Sequence, residues 1–312
     1  MLVINYFLVS LQFFALVLAR AQADEYATDP NIYELTPSTF DKVVHKTNYT
    51  SIVKFYAPWC GYCQQLKPVF TKLGKLIHKD GQYAANVAAV NCDKEYNKPL
   101  CAKYQISGFP TLLVFRPPKH TDGQPLRKNE KHVNEVYNGE RSLKAMASFL
   151  TSRLKNYSKR IPGFGSETFK SFVDEDEDYG KFVLISKSQS VSPLFRSLAI
   201  DFLNSVKFGL ISSKALKGTT VTLEGQEVEI PKGENGEIEI PSLLYINKSS
   251  GEVLKYDRTP KLNDKLKISE WIVEVSKKTP SEGPLSKKEK KYYSSYRSGK
   301  KAKKAAPDHD EL

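Results

Sequence analysis

Cys60 and Cys63, spaced as Cys-Gly-Tyr-Cys, are the residues of this chain best placed to do chemistry. They stand where the β-branched and aromatic run Ile52-Val53-Lys54-Phe55-Tyr56 gives way, through Ala57-Pro58-Trp59, to the helix-periodic Leu66, Phe70, Leu73 and Ile77. A cysteine at the first turn of a helix meets unpaired backbone N–H groups and the positive end of the helix dipole, and a thiolate is the anion that such a place stabilises. Cys63, one turn further in, lies within disulfide reach but is more enclosed, so the two thiols are expected to be unequal. Thiol–disulfide exchange uses that inequality, because one thiolate must attack a disulfide sulfur and a second thiol must resolve the mixed disulfide. The spacing assigns attack to Cys60 and resolution to Cys63.

A bare pair of this kind also occurs in zinc sites. The remaining cysteines, Cys92 and Cys101, lack the close spacing of a second zinc-ligand pair. They fit a structural disulfide closing a ten-residue loop, which contributes about 2.7 kcal/mol in the loop-entropy model. A second redox pair is the alternative. The acidic run Asp174 to Asp178 has no glycine turn and no calcium-ligand spacing, so it reads as a solvated loop. Nothing in the sequence asks for a metal or a cofactor.

The elements that position the pair follow from apolar periodicity and turn residues. Ile32 to Leu35 reads as a strand, Thr36-Pro37 as N-cap and first position of a helix over Phe40 to Val44, and Ser51 to Ala57 as a buried central strand. A long helix follows from about Cys60 to His78, interrupted by Pro68. Then come a strand at Val87 to Asn91, a short helix near Leu100 to Tyr104, closing strands at Thr111 to Phe115 and His132 to Tyr137, and an amphipathic helix over Ser142 to Leu154. From about Ile161 to Lys278 the order recurs more faintly, with Lys187-Ser188-Gln189-Ser190 where the first half has its cysteines and Pro241 as the counterpart of Pro110.

The run Ala-Pro-Trp-Cys-Gly-Tyr-Cys resembles the active site of the protein disulfide isomerases, whose thioredoxin-type domains carry Ala-Pro-Trp-Cys-Gly-His-Cys at this turn. Gly108-Phe-Pro-Thr111, Arg116-Pro-Pro-Lys119, the second cysteine pair and the cysteine-free second half extend the likeness to the small fungal Mpd-type disulfide isomerases. The resemblance implies two tandem thioredoxin-like domains of the α/β class, the first redox-active, with boundaries at 1–23 for a leader, 24–158, 161–278, and a basic flexible tail over 279–312. It implies that Trp59, Gly61 and Tyr62 border the reacting sulfurs, that Pro110 is the cis-proline facing them, and that Arg141 lowers the pKa of the resolving cysteine. Two positions depart from the family pattern. Tyr62 replaces a histidine, and Lys54 stands where the family buries a glutamate that shuttles the Cys63 proton; a lysine there either stabilises thiolate, acts as a base if desolvated, or snorkels to the surface.

The two ends point to a compartment. The apolar run Leu2 to Leu18 leads to Ala19-Arg-Ala-Gln-Ala23, which reads as a secretory leader cut after Ala23, and His309-Asp-Glu-Leu312 reads as an address for retention in the endoplasmic reticulum lumen. Sequons at Asn48, Asn156 and Asn247 suit that lumen. From Lys277 onward eleven Lys or Arg stand against five Asp or Glu, half of the net charge of +12, so the basic excess reads as a solvated tether and nucleic acid is excluded by the compartment. The expected partners are unfolded or misfolded secretory proteins, a thiol oxidase and glutathione, and the HDEL receptor, without stable membrane insertion. The leading reading is an enzyme that forms and rearranges disulfides; the rival is a client-binding chaperone or adaptor in which the thiols matter little.

Overall fold

The computed structural model describes residues 24–118, 131–175, 179–216, 218, 220–257 and 262–297. The leader, Lys119 of the Arg-Pro-Pro-Lys motif, residues 176–178 of the acidic run and the terminal His-Asp-Glu-Leu lie outside them. The chain forms two compact units, the first from residues up to 80, 85–150 and 292 onward, the second from 81–84 and 151–291.

In the first unit a five-stranded sheet has the order β1-β3-β2-β4-β5. Strand β2 (Thr50–Tyr56) is central and buried along all seven residues, between the parallel β3 (Ala85–Asn91) and the antiparallel β4 (Thr111–Arg116). Strand β1 (Tyr33–Glu34) extends the sheet beyond β3, and β5 (Val133–Val136) closes the other edge. Side chains alternate across a strand. Val53 and Phe55 therefore join Val43, Val44, Leu113 and Phe115 in the core on one face, while Ile52, Lys54 and Tyr56 turn to the other. Helix α1 (Pro37–Phe40) opens with Thr36 in a capping box. Helix α2 (Gly61–Gly74) packs on the Lys54 face and runs on as a wider helical turn to Asp80. Helices α3 (Lys98–Lys103) and α4 (Leu143–Ser152) complete the unit.

The second unit repeats a mixed five-stranded sheet, in the order β12-β11-β7-β8-β6, over β6 (Ser158–Ile161), β7 (Gly180–Ser186), β8 (Val206–Ser212), β11 (Ser242–Asn247) and β12 (Glu252–Lys255). Helices α5 (Glu167–Asp174), α6 (Pro193–Asp201) and α7 (Lys265–Ser276) flank it, their starts capped by Ser166, Ser192 and Asp264. The expected boundary between residues 158 and 161 moves upstream, since Ser158 already lies in β6 and the second unit takes the chain from Thr151. A hairpin of β9 (Thr220–Leu223) and β10 (Gln226–Glu229) is added. Its Glu224-Gly225 turn, with φ of 50° and 82°, is the two-residue type that right-twisted hairpins favour.

The segment after 278 departs most from expectation. Its polar, lysine-rich composition reads as a tether, yet residues 279–297 are built into the fold. Asp201 accepts backbone hydrogen bonds from Ser281 and Glu282 at 2.8 and 3.2 Å, and its carboxylate pairs with Lys265 at 2.5 Å. Glu282 is 1 % exposed and paired with Lys288 at 2.6 Å. Gly283, at φ 80°, lies so close to Asp201 that an added Cβ would meet its Oδ2 at 2.2 Å. From residue 292 the chain belongs to the first unit. Tyr293 sets its ring edge-on to Tyr33 at 6.2 Å, and Arg297, in α8 (Ser294–Arg297), stacks over the Tyr33 ring and hydrogen-bonds its hydroxyl. Two planar groups among the lysines, Tyr293 and Arg297, make this docking, and composition averaged over the segment hides them.

Candidate active site

Helix α2 starts beneath the end of β2, and Cys60 is its N-cap, with extended backbone (φ −76°, ψ 116°). Both Cys60 and Cys63 are free thiols. Cys60 keeps 9 % exposure and Cys63 none, so a disulfide arriving from solvent meets Cys60 first. The Cys60 thiol donates to the Phe109 carbonyl at 3.5 Å, and the Phe109–Pro110 peptide is cis. Burial, followed by a hydrogen bond with Cys60, pushes the Cys63 thiol up to about 12, while the Lys54 ammonium pulls it down. Burial is thus the main influence on the Cys63 thiol, ahead of its place on the helix.

Around the sulfurs lies an aromatic rim. Trp59 and Tyr62 are 68 % and 70 % exposed. The Trp59 indole donates to Asp93 at 2.9 Å and stands edge-on to Phe109 at 6.1 Å. Nothing lies within 4 Å of a Cβ added at Gly61. Arg141 is exposed and donates to the Pro110 carbonyl at 3.2 Å. Its contact is with the cis-proline loop.

Lys54 does not snorkel. It is fully buried, and its ammonium donates to Glu25 Oε2 at 2.8 Å, Tyr26 OH at 2.8 Å and the Cys63 carbonyl at 3.1 Å. The rings of Tyr26, Tyr56 and Phe70 surround it at 4.9, 5.0 and 6.0 Å. Burial lowers its pKa, opposed chiefly by Glu25. Glu34 completes the cluster, accepting from Tyr56 OH at 3.0 Å and from the Tyr26 backbone N–H at 3.1 Å. Burial, reinforced by Asp24, raises the Glu34 carboxyl to about 8. Oε1 of Glu25 and Oε1 of Glu34 are both buried without a hydrogen-bond partner among the described residues. Sequence reasoning missed Glu25, Tyr26 and Glu34. Glu25 lies 29 residues before Lys54, in a segment without periodicity, and the signal available was a buried-strand lysine needing a counter-charge from elsewhere.

A raised acid gives a stability prediction with a definite sign. Below about pH 4.5 Glu34 is protonated in both folded and unfolded chains; from there to about 8 the unfolded chain ionises first, so stability falls as pH rises. Glu34→Gln removes this contribution. Denaturant unfolding at pH 5 and pH 8 should show a wild-type loss, relative to the variant, of a few kcal/mol at about 1.4 kcal/mol per unit. Identical pH dependence in both proteins would show that Glu34 reaches water.

Cys92 and Cys101 form a disulfide, with S–S 2.00 Å and Cα–Cα 6.0 Å, 7 % and 6 % exposed and packed in the first unit's core. A buried structural disulfide typically has a potential below about −300 mV, against about −180 mV for a disulfide-isomerase couple. In a glutathione buffer that reduces Cys60–Cys63, mass mapping should find Cys92–Cys101 intact; reduction of both pairs together would make it a second redox centre. Of the sequons, Asn48 and Thr50 are 7 % and 1 % exposed, which leaves a glycan at Asn48 no path out of the folded unit. Asn156 is exposed and Asn247 half-buried. Among the described residues there is no cluster of His, Cys, Asp and Glu able to hold a metal ion, and no helix long and apolar enough to cross a membrane.

Comparison with known proteins agrees with this geometry. The thioredoxin family model matches residues 31–152. The chain is 38 % identical over 327 aligned residues to protein disulfide-isomerase MPD1 of Saccharomyces cerevisiae, covering 100 % of both. It is 35 % identical over 183 residues to protein disulfide-isomerase A6 of Mesocricetus auratus, covering 57 % of this chain and 39 % of that one. Among solved structures, ERdj5 form II aligns over 80 % of this chain and 30 % of its own, at 19 % identity and a TM-score of 0.45. With full-length identity to a named isomerase and a dithiol at the start of α2, the chain belongs to the protein disulfide isomerase family and forms and rearranges disulfides by thiol–disulfide exchange at Cys60 and Cys63.

Proposed function

We propose that Cys60 is the attacking thiol and Cys63 the resolving thiol of an oxidoreductase that works on secretory proteins in the lumen of the endoplasmic reticulum. The observation that carries the assignment of roles is the difference in exposure between the two residues, 9 % for Cys60 against 0 % for Cys63. Cys60 thiolate attacks a client disulfide: the Cys60–client S–S bond forms, the client's own bond breaks, and the departing thiolate takes a proton. Cys63 then gives up its proton and attacks Cys60, forming Cys60–Cys63 and releasing the second client thiol. Run backwards from the oxidised enzyme, the same two steps donate a disulfide. Glutathione or a thiol oxidase resets the pair.

Client contact falls to the aromatic rim of Trp59 and Tyr62, whose exposed rings can bind apolar segments of an unfolded chain. Tyr62 brings no positive charge to the Cys60 sulfur, and Cys60 stands instead at the N-cap of α2. Pro110 and Arg141 shape the loop facing the sulfurs. The lumenal placement rests on the leader over 1–23 and the terminal His309 to Leu312, which the HDEL receptor would bind; Asn156 and Asn247 are the sequons a glycan would use.

Deleting His309 to Leu312 should send the protein into the medium, read by immunoblot of cells and medium. Retention of the truncated protein, or membrane association that survives a high-salt wash, would overturn the soluble, receptor-retained reading. The rival reading as a chaperone is separated by blocking both thiols. A holdase suppresses client aggregation equally well afterwards, whereas the enzyme loses its reactivation of a scrambled disulfide protein.

A further inference from the structure

We infer that Glu25, in the N-terminal segment Asp24 to Tyr26, is a positioning residue for disulfide exchange: it holds the Lys54 ammonium, charged and centred, beneath Cys63. The inference deepens the proposed function and rests on Cys63 being the resolving thiol.

Four hydrogen-bonded groups fix the arrangement. Lys54 is enclosed by three aromatic rings, and its ammonium is held by Glu25 Oε2, Tyr26 OH and the Cys63 carbonyl, all within 3.1 Å. Glu25 supplies the only carboxylate paired with Lys54 among the described residues. The segment that carries Glu25 is itself pinned, because the Glu25 N–H donates to Tyr56 OH at 2.8 Å, Tyr56 OH donates to Glu34, and the Tyr26 N–H donates to the same Glu34 oxygen. Asp24 is tied to Asn91 at the end of β3 at 2.8 Å. The strand that would normally offer a carboxylate thus offers a cation, and the counter-charge arrives from a different part of the chain.

The consequence concerns the second step of exchange. Cys63 must lose a proton as it attacks, in a place where burial opposes its thiolate and Lys54 favours it. The groups facing Lys54 are Glu25, Tyr26, Cys63 and Glu34. Desolvation pushes Lys54 towards its neutral amine, and Glu25 is the principal group opposing this. Without Glu25 the lysine loses its charge and with it the attraction for the Cys63 thiolate.

The test uses the full-length protein, with a preformed mixed disulfide between Cys60 and a fluorescent cysteine peptide. Its decay is followed across pH in wild type, Glu25→Gln and Glu25→Asp, and the NMR shift of the Lys54 ε-carbon is read in each. Glu25→Gln should slow decay about tenfold at pH 7, one unit of thiolate pKa, move the pH profile upward, and shift the Lys54 signal towards the neutral amine. Glu25→Asp, which keeps the charge, should recover part of each change. Unchanged decay, faster decay with a neutral lysine acting as base, or an ammonium signal that survives in Glu25→Gln would each overturn the inference. If Cys60 itself forms no mixed disulfide, the underlying reading fails instead, and the two failures are told apart before any decay is measured.

Discussion

In Cys60→Ala, disulfide exchange is expected to fall to the uncatalysed background, while Cys63→Ala still attacks clients and accumulates as mixed disulfides. Access decides the first outcome, because Cys60, the N-cap of α2, keeps some exposure and Cys63 has none through which to replace it. Acid–base chemistry decides the second. With burial raising its thiol above the ordinary cysteine range and with no exposure to solvent, free Cys63 is a poor nucleophile towards a passing disulfide. It reacts when Cys60–S–S–client is already placed one helical turn away, where proximity compensates for the scarcity of thiolate. Non-reducing gels of cells expressing each variant, after alkylation, provide the check. Clients trapped on Cys60 in Cys63→Ala, and none in Cys60→Ala, is the expected pattern; equal loss of activity without trapped complexes would reverse the assignment.

The second large effect is on stability. Lys54→Met should destabilise the first unit by about 3–5 kcal/mol, the range for removing one partner of a buried ion pair. Methionine fills the space between the rings of Tyr26, Tyr56 and Phe70 well enough, so lost packing is a small part of the cost. The larger part is electrostatic: Glu25, whose side chain is 6 % exposed, would face Glu34 and three aromatic rings without a cation. Urea unfolding at pH 7, followed by fluorescence and checked for a constant m-value, measures this. A loss under about 1 kcal/mol would mean that water reaches the pair. Lys54→Glu is the less informative change, since it would set a second buried acid directly against Glu25.

The chemistry was more legible than the machinery beneath it. Cys60, Cys63 and Trp59 stand in a local run whose residue types carry their own geometry, namely an apolar strand, a turn and a helix start, so their placement follows from short-range pattern, whereas the place of Pro110 was implied by the resemblance alone. The Lys54 departure was also visible, because a lysine inside a run of Ile, Val, Phe and Tyr demands an explanation. Its partner was not. Glu25 and Glu34 reach the site through a short edge strand and an irregular segment, and pairing across 29 residues leaves no periodic trace in either stretch. For Arg141 the role was implied by position in a motif, and its guanidinium donates to the Pro110 carbonyl. The hairpin over Thr220 to Glu229 had an adequate signal in Glu224-Gly225 flanked by Val221, Leu223 and Val228, weakened by the polar residues between them.

The docking of Tyr293 and Arg297 on Tyr33 bears on the order in which the chain can mature. A ribosome delivers residues from the N-terminus, and domains ordinarily fold as they emerge. Here strand β1 appears near the beginning of synthesis, but the groups that cover Tyr33 are separated from it by up to 264 residues. The catalytic sheet can therefore form early with this flank uncovered, and it becomes complete after the second unit has been made.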